Sequence, residues 1–320
     1  MAQHRPIRLG MVGGGTGAMI GNVHRIAARL DGQFDLVAGA LSSDADRAAA
    51  SAAAVGIARS YGDYEQMARD EAARPDGIEA VSVCTPNHLH FPVARAFLAQ
   101  GIHVICDKPM TATLDQARQL ADIARASDAL FVLTHNYSAY PQIRQARAMI
   151  LRGDLGALRL VQVEYAQDWL TEDTDSKQAE WRTDPARAGA GGAIGDIGTH
   201  AFQLARFVTG QLPETLAADL SSFVPGRKLD DNAHILLRYG SGARGMLWAS
   251  QVAPGTENGL RLRVYGDKGG LEWQHDAPET LKFTAFGQPA QILRRAGPGS
   301  VVGGSRVPPG HPEGYLEGFA

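Results

Sequence analysis

Five short apolar runs, separated by stretches of helical spacing, constrain this chain more than any other feature. They read as strands at Ile7 to Val12, Phe34 to Ala40, Ala80 to Cys84, Ile102 to Cys106 and Leu130 to Thr134. The spacing between them predicts helices over Asn22 to Leu30, Asp44 to Ala54, Tyr64 to Ala73, Phe91 to Gln100 and Leu114 to Ala126. Ser43 and Thr113 are the expected N-caps of the second and last. Strands that alternate with helices of this length form a parallel sheet wound on both faces.

The texture then changes. After a helix over Pro141 to Leu151, strands follow one another with few helices between, at Leu158 to Tyr165, Thr215 to Leu220, Ala233 to Tyr239, Ala243 to Ser250, Arg261 to Tyr265 and Gly270 to Trp273. The turns Tyr239-Gly240-Ser241-Gly242 and Gly266-Asp267-Lys268-Gly269 join neighbours as hairpins do. The expected fold is therefore α/β in two domains. Residues 1–137 form a Rossmann-type doubly wound parallel sheet, and residues 138–320 an α/β domain with a large, mainly antiparallel open sheet. Such a sheet leaves one face for something to cover, and a second subunit is the expected occupant, giving a homodimer or homotetramer. Ala296 to Gly310 reads as a mobile loop, and Glu317 to Ala320 as the start of a further helix that the chain end cuts short.

Composition excludes several classes. A net charge of -3 over 320 residues offers no general grip on nucleic acid. No apolar run approaches membrane-spanning length, and no signal peptide precedes the first strand. Cys84 and Cys106 each end a strand and read as buried thiols of a cytoplasmic protein. His88-Leu89-His90 is a poor metal site, because two histidines two apart in a strand-to-helix turn rarely aim at one ion, and no metal is expected.

Three stretches carry chemistry. The first is Gly13-Gly14-Gly15-Thr16-Gly17, placed after the first strand and before a helix. There Gly13 and Gly15 let backbone approach a pyrophosphate, with Ala18 or Gly21 as the third small residue. The second strand should end on the residue that reads the ribose. It ends Ala40-Leu41-Ser42-Ser43-Asp44, without an acid at its tip. Ser42 and Ser43 can hydrogen-bond a 2′-hydroxyl, Asp44 repels a 2′-phosphate, and Arg47 can bind one. The balance favours NAD and leaves NADP open. The second stretch is Asp107-Lys108-Pro109, a cation at the carboxyl end of a buried strand, stiffened by proline. The third is Gly189 to His200, a glycine-rich turn leading into a helix from about Thr199 to Val208. It sets Asp196 and His200 four apart, so a helix that starts early puts both on one face, and a helix N-terminus favours the uncharged imidazole a base needs.

Together these motifs resemble the glucose–fructose oxidoreductase / inositol dehydrogenase / MocA (Gfo/Idh/MocA) family over essentially the whole chain. The family's E-K-P is matched by Asp107-Lys108-Pro109, with Asp in place of Glu, and its D-x-x-x-H by Asp196 and His200. The resemblance implies that Lys108, Asp196 and His200 are catalytic and also contact substrate. It places Thr85, Pro86, Asn87, His88 and His90 on the nicotinamide side, together with Asp107 and the Trp181-Arg182 pair. Asn136 and Tyr137 are implied as residues that face cofactor and substrate. Many relatives carry a carboxylate three residues after the histidine, where this chain has Gln203. Exposed Trp169, Tyr137 and His311 are further candidates for stacking on or hydrogen-bonding a sugar. The implied activity is NAD(P)-dependent oxidation of a secondary hydroxyl on a cyclic sugar, anhydrosugar or polyol. A cofactor-binding sugar-sensing regulator of the same fold and an NAD-dependent glycosidase are the alternatives.

Overall fold

The computed structural model describes residues 5–174, 177–300 and 305–311. The chain divides into two compact units, Met1–Thr134 with Ala186–Ala190, and His135–Pro185 with Gly191–Ala320. The expected helix at Glu317 to Ala320 and part of the Ala296 to Gly310 loop lie outside the described residues.

The first unit alternates as its apolar periodicity requires. Its elements are β1 (Ile7–Gly13), α1 (Met19–Leu30), β2 (Phe34–Ala40), α2 (Ala45–Val55), β3 (Arg59–Ser60), α3 (Tyr64–Ala73), β4 (Ala80–Cys84), α4 (Asn87–Leu98), β5 (His103–Cys106), α5 (Leu114–Ala126) and β6 (Phe131–Leu133). All pairings are parallel, in the order β3-β2-β1-β4-β5-β6. The order reverses between β1 and β4, and a sheet of this kind binds ligands where that happens, beyond the carboxyl ends of its strands. β3 was not anticipated, because two residues are too short for a periodic signal. α4 starts four residues ahead of Phe91, since Pro86 is its N-cap and Asn87 is already helical. Ser43 is not the cap of α2. Asp44 is, with extended backbone and a carboxylate that accepts from Arg47 N at 2.8 Å. Thr113 caps α5 as expected.

Helices cover both faces of the sheet. Met67, Val81, Val83, Phe97 and Leu120 make the larger core, and Met11, Leu41, Ile57 and Cys84 a smaller one. A fully buried carboxylate joins α3 to β3. Glu71 accepts from Arg59 at 2.7 Å, from Tyr61 Oη at 2.8 Å and from Ile78 N at 3.1 Å.

The second unit comprises α6 (Pro141–Arg152), β7 (Leu158–Ala166), α7 (Lys177–Arg182), then, after α8 (Pro185–Ala188), which belongs to the first unit from Ala186 on, α9 (Thr199–Thr209), β8 (Pro213–Ser221), β9 (Asn232–Tyr239), β10 (Arg244–Ser250), β11 (Gly259–Gly266), β12 (Gly269–Gln274), β13 (Thr280–Ala285) and β14 (Gln291–Arg294). Its sheet runs β14-β13-β12-β11-β7-β10-β9-β8, antiparallel except between β7 and β10. Period-two alternation sorts the faces. The row Leu247, Val163, Leu262, Trp273 is buried in one core with Ala146, Met149, Leu204 and Val208 of α6 and α9. The row beside it, Trp248, Glu164, Arg261, lies on the opposite face. Among the described residues no helix is long and apolar enough to cross a membrane.

Candidate active site

In the first unit the loop after β1 is a cradle only glycine can build. Gly13 and Gly14 take positive φ, +76° and +70°. A Cβ on Gly13 would lie 2.7 Å from Cys84 O, and one on Gly15 2.7 Å from Leu41 O. The close approach of α1 falls on Gly21, where a Cβ would run into the backbone of Gly14; Gly21, not Ala18, is thus the third small residue. Thr16 is tied to α2 through Ser51 Oγ, 3.2 Å from both Thr16 N and Thr16 Oγ1. Buried Arg25 donates to Gly14 O at 2.7 Å. This narrow backbone turn ahead of a helix fits a dinucleotide pyrophosphate. At the end of β2, Ser42 Oγ accepts from Asp44 N at 3.2 Å, while Ser43 and Arg47 are exposed. Arg47 lies 3.8 Å from the Asp44 carboxylate, so an incoming 2′-phosphate would meet that negative charge as well.

The carboxyl ends of β4 and β5 hold the next residues. Lys108–Pro109 is a cis peptide bond, and Lys108 is half-buried. His90, only 1% exposed, spans two backbone segments, with Nδ1 2.6 Å from Pro109 O and Nε2 2.9 Å from Thr85 O. Burial pulls its pKa down, and the two carbonyls pull the other way. Expected to face the cofactor, His90 braces the two motif backbones instead, and its ring nitrogens are not turned toward a metal shared with half-buried His88. Asn87, expected on the nicotinamide side, donates to Ala188 O at 2.9 Å and fastens the Ala186–Ala190 segment within its own unit. Thr85 and Pro86 are half-buried beside it. Asp107 accepts from Thr134 Oγ1 at 2.9 Å and pairs with His24 Nε2 at 4.0 Å.

In the second unit a π-helical turn, Ile194–Gly198, runs directly into α9, because Gly198 keeps helical angles of -62° and -30°. His200 therefore sits well inside a continuous helical run, not at its start as expected. The helix-start N–H groups, of Gly192 and Ile194, donate to the Asp230 carboxylate at 2.7 and 2.8 Å. Asp196 Oδ2 accepts from Arg182 Nε at 3.2 Å and Gln251 Nε2 at 3.0 Å. The Arg182 guanidinium lies 4.3 Å from the Trp181 ring centroid and 5.8 Å from that of Trp169, so these four expected residues are brought together.

His200 is 7% exposed and packs edge-on against Tyr137 at 5.0 Å and His135 at 5.5 Å. Behind it runs a polar network. Tyr137 Oη and Tyr165 Oη are 2.7 Å apart, Tyr165 Oη donates to Asn258 Oδ1 at 2.6 Å, and Gln167 Nε2 donates to the same oxygen at 2.8 Å. Burial, with Tyr137 beside it, pushes the Tyr165 pKa up, so the phenol stays a donor. Tyr137, expected exposed, is buried, and Trp169 is half-buried with its indole N–H on Gln167. Asn136 and His311 are exposed. His24, Asp230, Gln251, Tyr165 and Asn258 were not read from the sequence. Only His24 left a trace there, on the α1 face it shares with Gly21 and Arg25.

A family model described as an oxidoreductase family with an NAD-binding Rossmann fold matches residues 7–135. A GFO/IDH/MocA C-terminal domain model matches residues 143–272. Similar solved structures include an oxidoreductase from Sinorhizobium meliloti, 56% identical over 99% of this chain and 86% of that one, with a TM-score of 0.89. An inositol dehydrogenase homolog from Azotobacter vinelandii, solved with NADH and myo-inositol, is 39% identical over 97% of this chain and 82% of that one, with a TM-score of 0.90. Levoglucosan dehydrogenase of Pseudarthrobacter phenanthrenivorans is 27% identical over 86% of this chain and 75% of its own length.

Proposed function

Since the chain belongs to the GFO/IDH/MocA family and is an NAD-dependent oxidoreductase, we propose that it oxidises a secondary hydroxyl of a cyclic sugar, anhydrosugar or polyol. NAD, when bound, supplies the hydride acceptor. In this reading His200 takes the hydroxyl proton, Lys108 hydrogen-bonds the same oxygen and stabilises its developing negative charge, and Asp196 orients the substrate. The observation that carries the reading is the holding of Asp196 by Arg182 and Gln251, on the same helical run that buries His200 against Tyr137. A carboxylate fixed by two donors keeps acceptor capacity for a sugar hydroxyl, and an imidazole packed by aromatic edges has a defined orientation. Myo-inositol and levoglucosan, named with two of the relatives, are the first substrates to try. The two free buried cysteines suit a reducing cytoplasm.

The test is a panel of cyclic polyols and anhydrosugars followed at the NADH absorbance band, with NAD and NADP in parallel. NADH should accumulate with at least one of them, which a regulator or a glycosidase with a transient oxidation would not give. His200→Ala and Lys108→Ala should each lower kcat/KM for that substrate by about 100-fold or more. Turnover by either variant within a few-fold of the parent would sink the mechanism.

A further inference from the structure

The Asp107 carboxylate precedes the proposed substrate lysine, yet the basic side chain that faces it comes from α1. His24 Nε2 of α1 stands 4.0 Å from Asp107 Oδ1, an ion-pair separation, with both side chains largely buried at 12% and 18% exposure. The other ring nitrogen, Nδ1, is 2.8 Å from Ser82 Oγ on β4. Thr134 Oγ1 completes the shell of the carboxylate. A buried carboxylate needs compensating charge, and a cation on α1 shares that task with Lys108, leaving more of the ammonium's three donors for an alcohol oxygen.

We propose that protonated His24 is the counter-ion of Asp107 and, through it, a positioning residue for Lys108. The inference rests on the substrate-lysine reading above. It assigns a role to the aspartate that stands where the family has glutamate: its charge is held between His24 of α1 and Thr134, just past β6. The ionisable groups around the pair fit this. Cys84 faces His24 from β4, and His90 from α4, Lys108 and the Cys106 thiol surround Asp107. Burial opposes the charged imidazole, but Asp107 and Cys84 outweigh it and raise His24 to about 10. Burial likewise opposes the Asp107 charge, and His24 and Lys108 bring its pKa below the ordinary value.

The imidazole resonances of the full-length protein, with His24 assigned through His24→Gln, test this without activity. His24 should show no titration between about pH 5.5 and 8.5, and in Asp107→Asn it should fall back toward the ordinary histidine range. A parent His24 that titrates near an unperturbed value overturns the proposal. The second arm is a double-variant cycle. His24→Gln and Asp107→Asn should each lower kcat by about tenfold with KM for NAD within about threefold, and the double variant should be no worse than the poorer single one. Losses that multiply would overturn it too. Lys108→Ala separates the two claims: near-parental turnover there defeats the substrate-lysine reading and leaves the His24 titration to be judged alone.

Discussion

At the scale of single residues, charge burial was hidden from the sequence. Glu71 looked like one more acid on a helix, and nothing in its neighbours announced that its side chain is wholly buried against Arg59 and Tyr61. The catalytic candidates were easier, because Lys-Pro after a strand and Asp-x-x-x-His after glycines are local patterns. Their partners, His24 for Asp107 and Gln251 for Asp196, lie 83 and 55 residues away, and no local pattern encodes such pairings. Glu71 gives a test with a defined sign. Burial raises its pKa, but hydrogen bonds from Arg59 and Tyr61 outweigh this and lower it from 4.5. A carboxyl with a depressed folded pKa contributes stability above its unfolded value, and that contribution is lost as pH falls through the folded one. Arg59→Ala, which removes the counter-charge of the carboxylate and leaves it only Tyr61 and Ile78 N, should cost about 2 to 4 kcal/mol at neutral pH in urea unfolding. The gap between parent and variant should narrow below about pH 4. A constant gap, or one under about 0.5 kcal/mol, would mean that the pair is not a stabilising contact.

At the scale of elements, what was legible followed periodicity and what was not followed geometry. The long helices and apolar strands sit within a few residues of their expected places. β14 was missed because Gln291 and Arg294 bracket only two apolar residues, and β13 because its alternation spans just six residues. The π-helical turn before α9 has no sequence periodicity of its own; it depends on the tight glycines and on Asp230, a residue from the loop before β9. Asp230→Ala removes the acceptor for two helix-start N–H groups and should cost about 1 to 2 kcal/mol, with kcat falling more than KM for NAD. Asp230→Asn, which keeps one acceptor oxygen, should recover part of both losses. Equal stability of the alanine variant and the parent would remove the cap from the account. Gly21→Ala probes the other helix start. Its Cβ would strike the Gly14 backbone, which has no rotamer to yield, so NAD affinity measured by calorimetry should drop at least about tenfold. Gly195→Ala, where a Cβ meets nothing within 4 Å, is the control for glycine replacement as such in a helical turn.

At the scale of the whole molecule, the succession of strands joined by hairpin turns made a second, mainly antiparallel sheet legible in the sequence. The face opposite α6 and α9 is not ordinary solvent-facing polar surface. Its rows run Leu236, Met246, Gln162, Arg263, Glu272, Lys282, Ile292 and His234, Trp248, Glu164, Arg261, Gln274. Leu236 and Ile292 are 63% and 58% exposed, His234 and Trp248 stack with rings 2° from parallel, and paired charges lie in the middle. Apolar groups around ion-paired carboxylates suit a surface covered by a copy of itself, since Glu164 and Glu272 already meet Arg261, Arg263 and Lys282 within the sheet and less charge is left to pair on burial. Light scattering on the purified chain should therefore give a mass of two or four subunits. Trp248→Glu places a carboxylate beside Glu164 in that row, so it should shift the mass toward one subunit while leaving the far-UV circular dichroism unchanged. A parent that scatters as a monomer at micromolar concentration would show that the bare face serves something other than self-association.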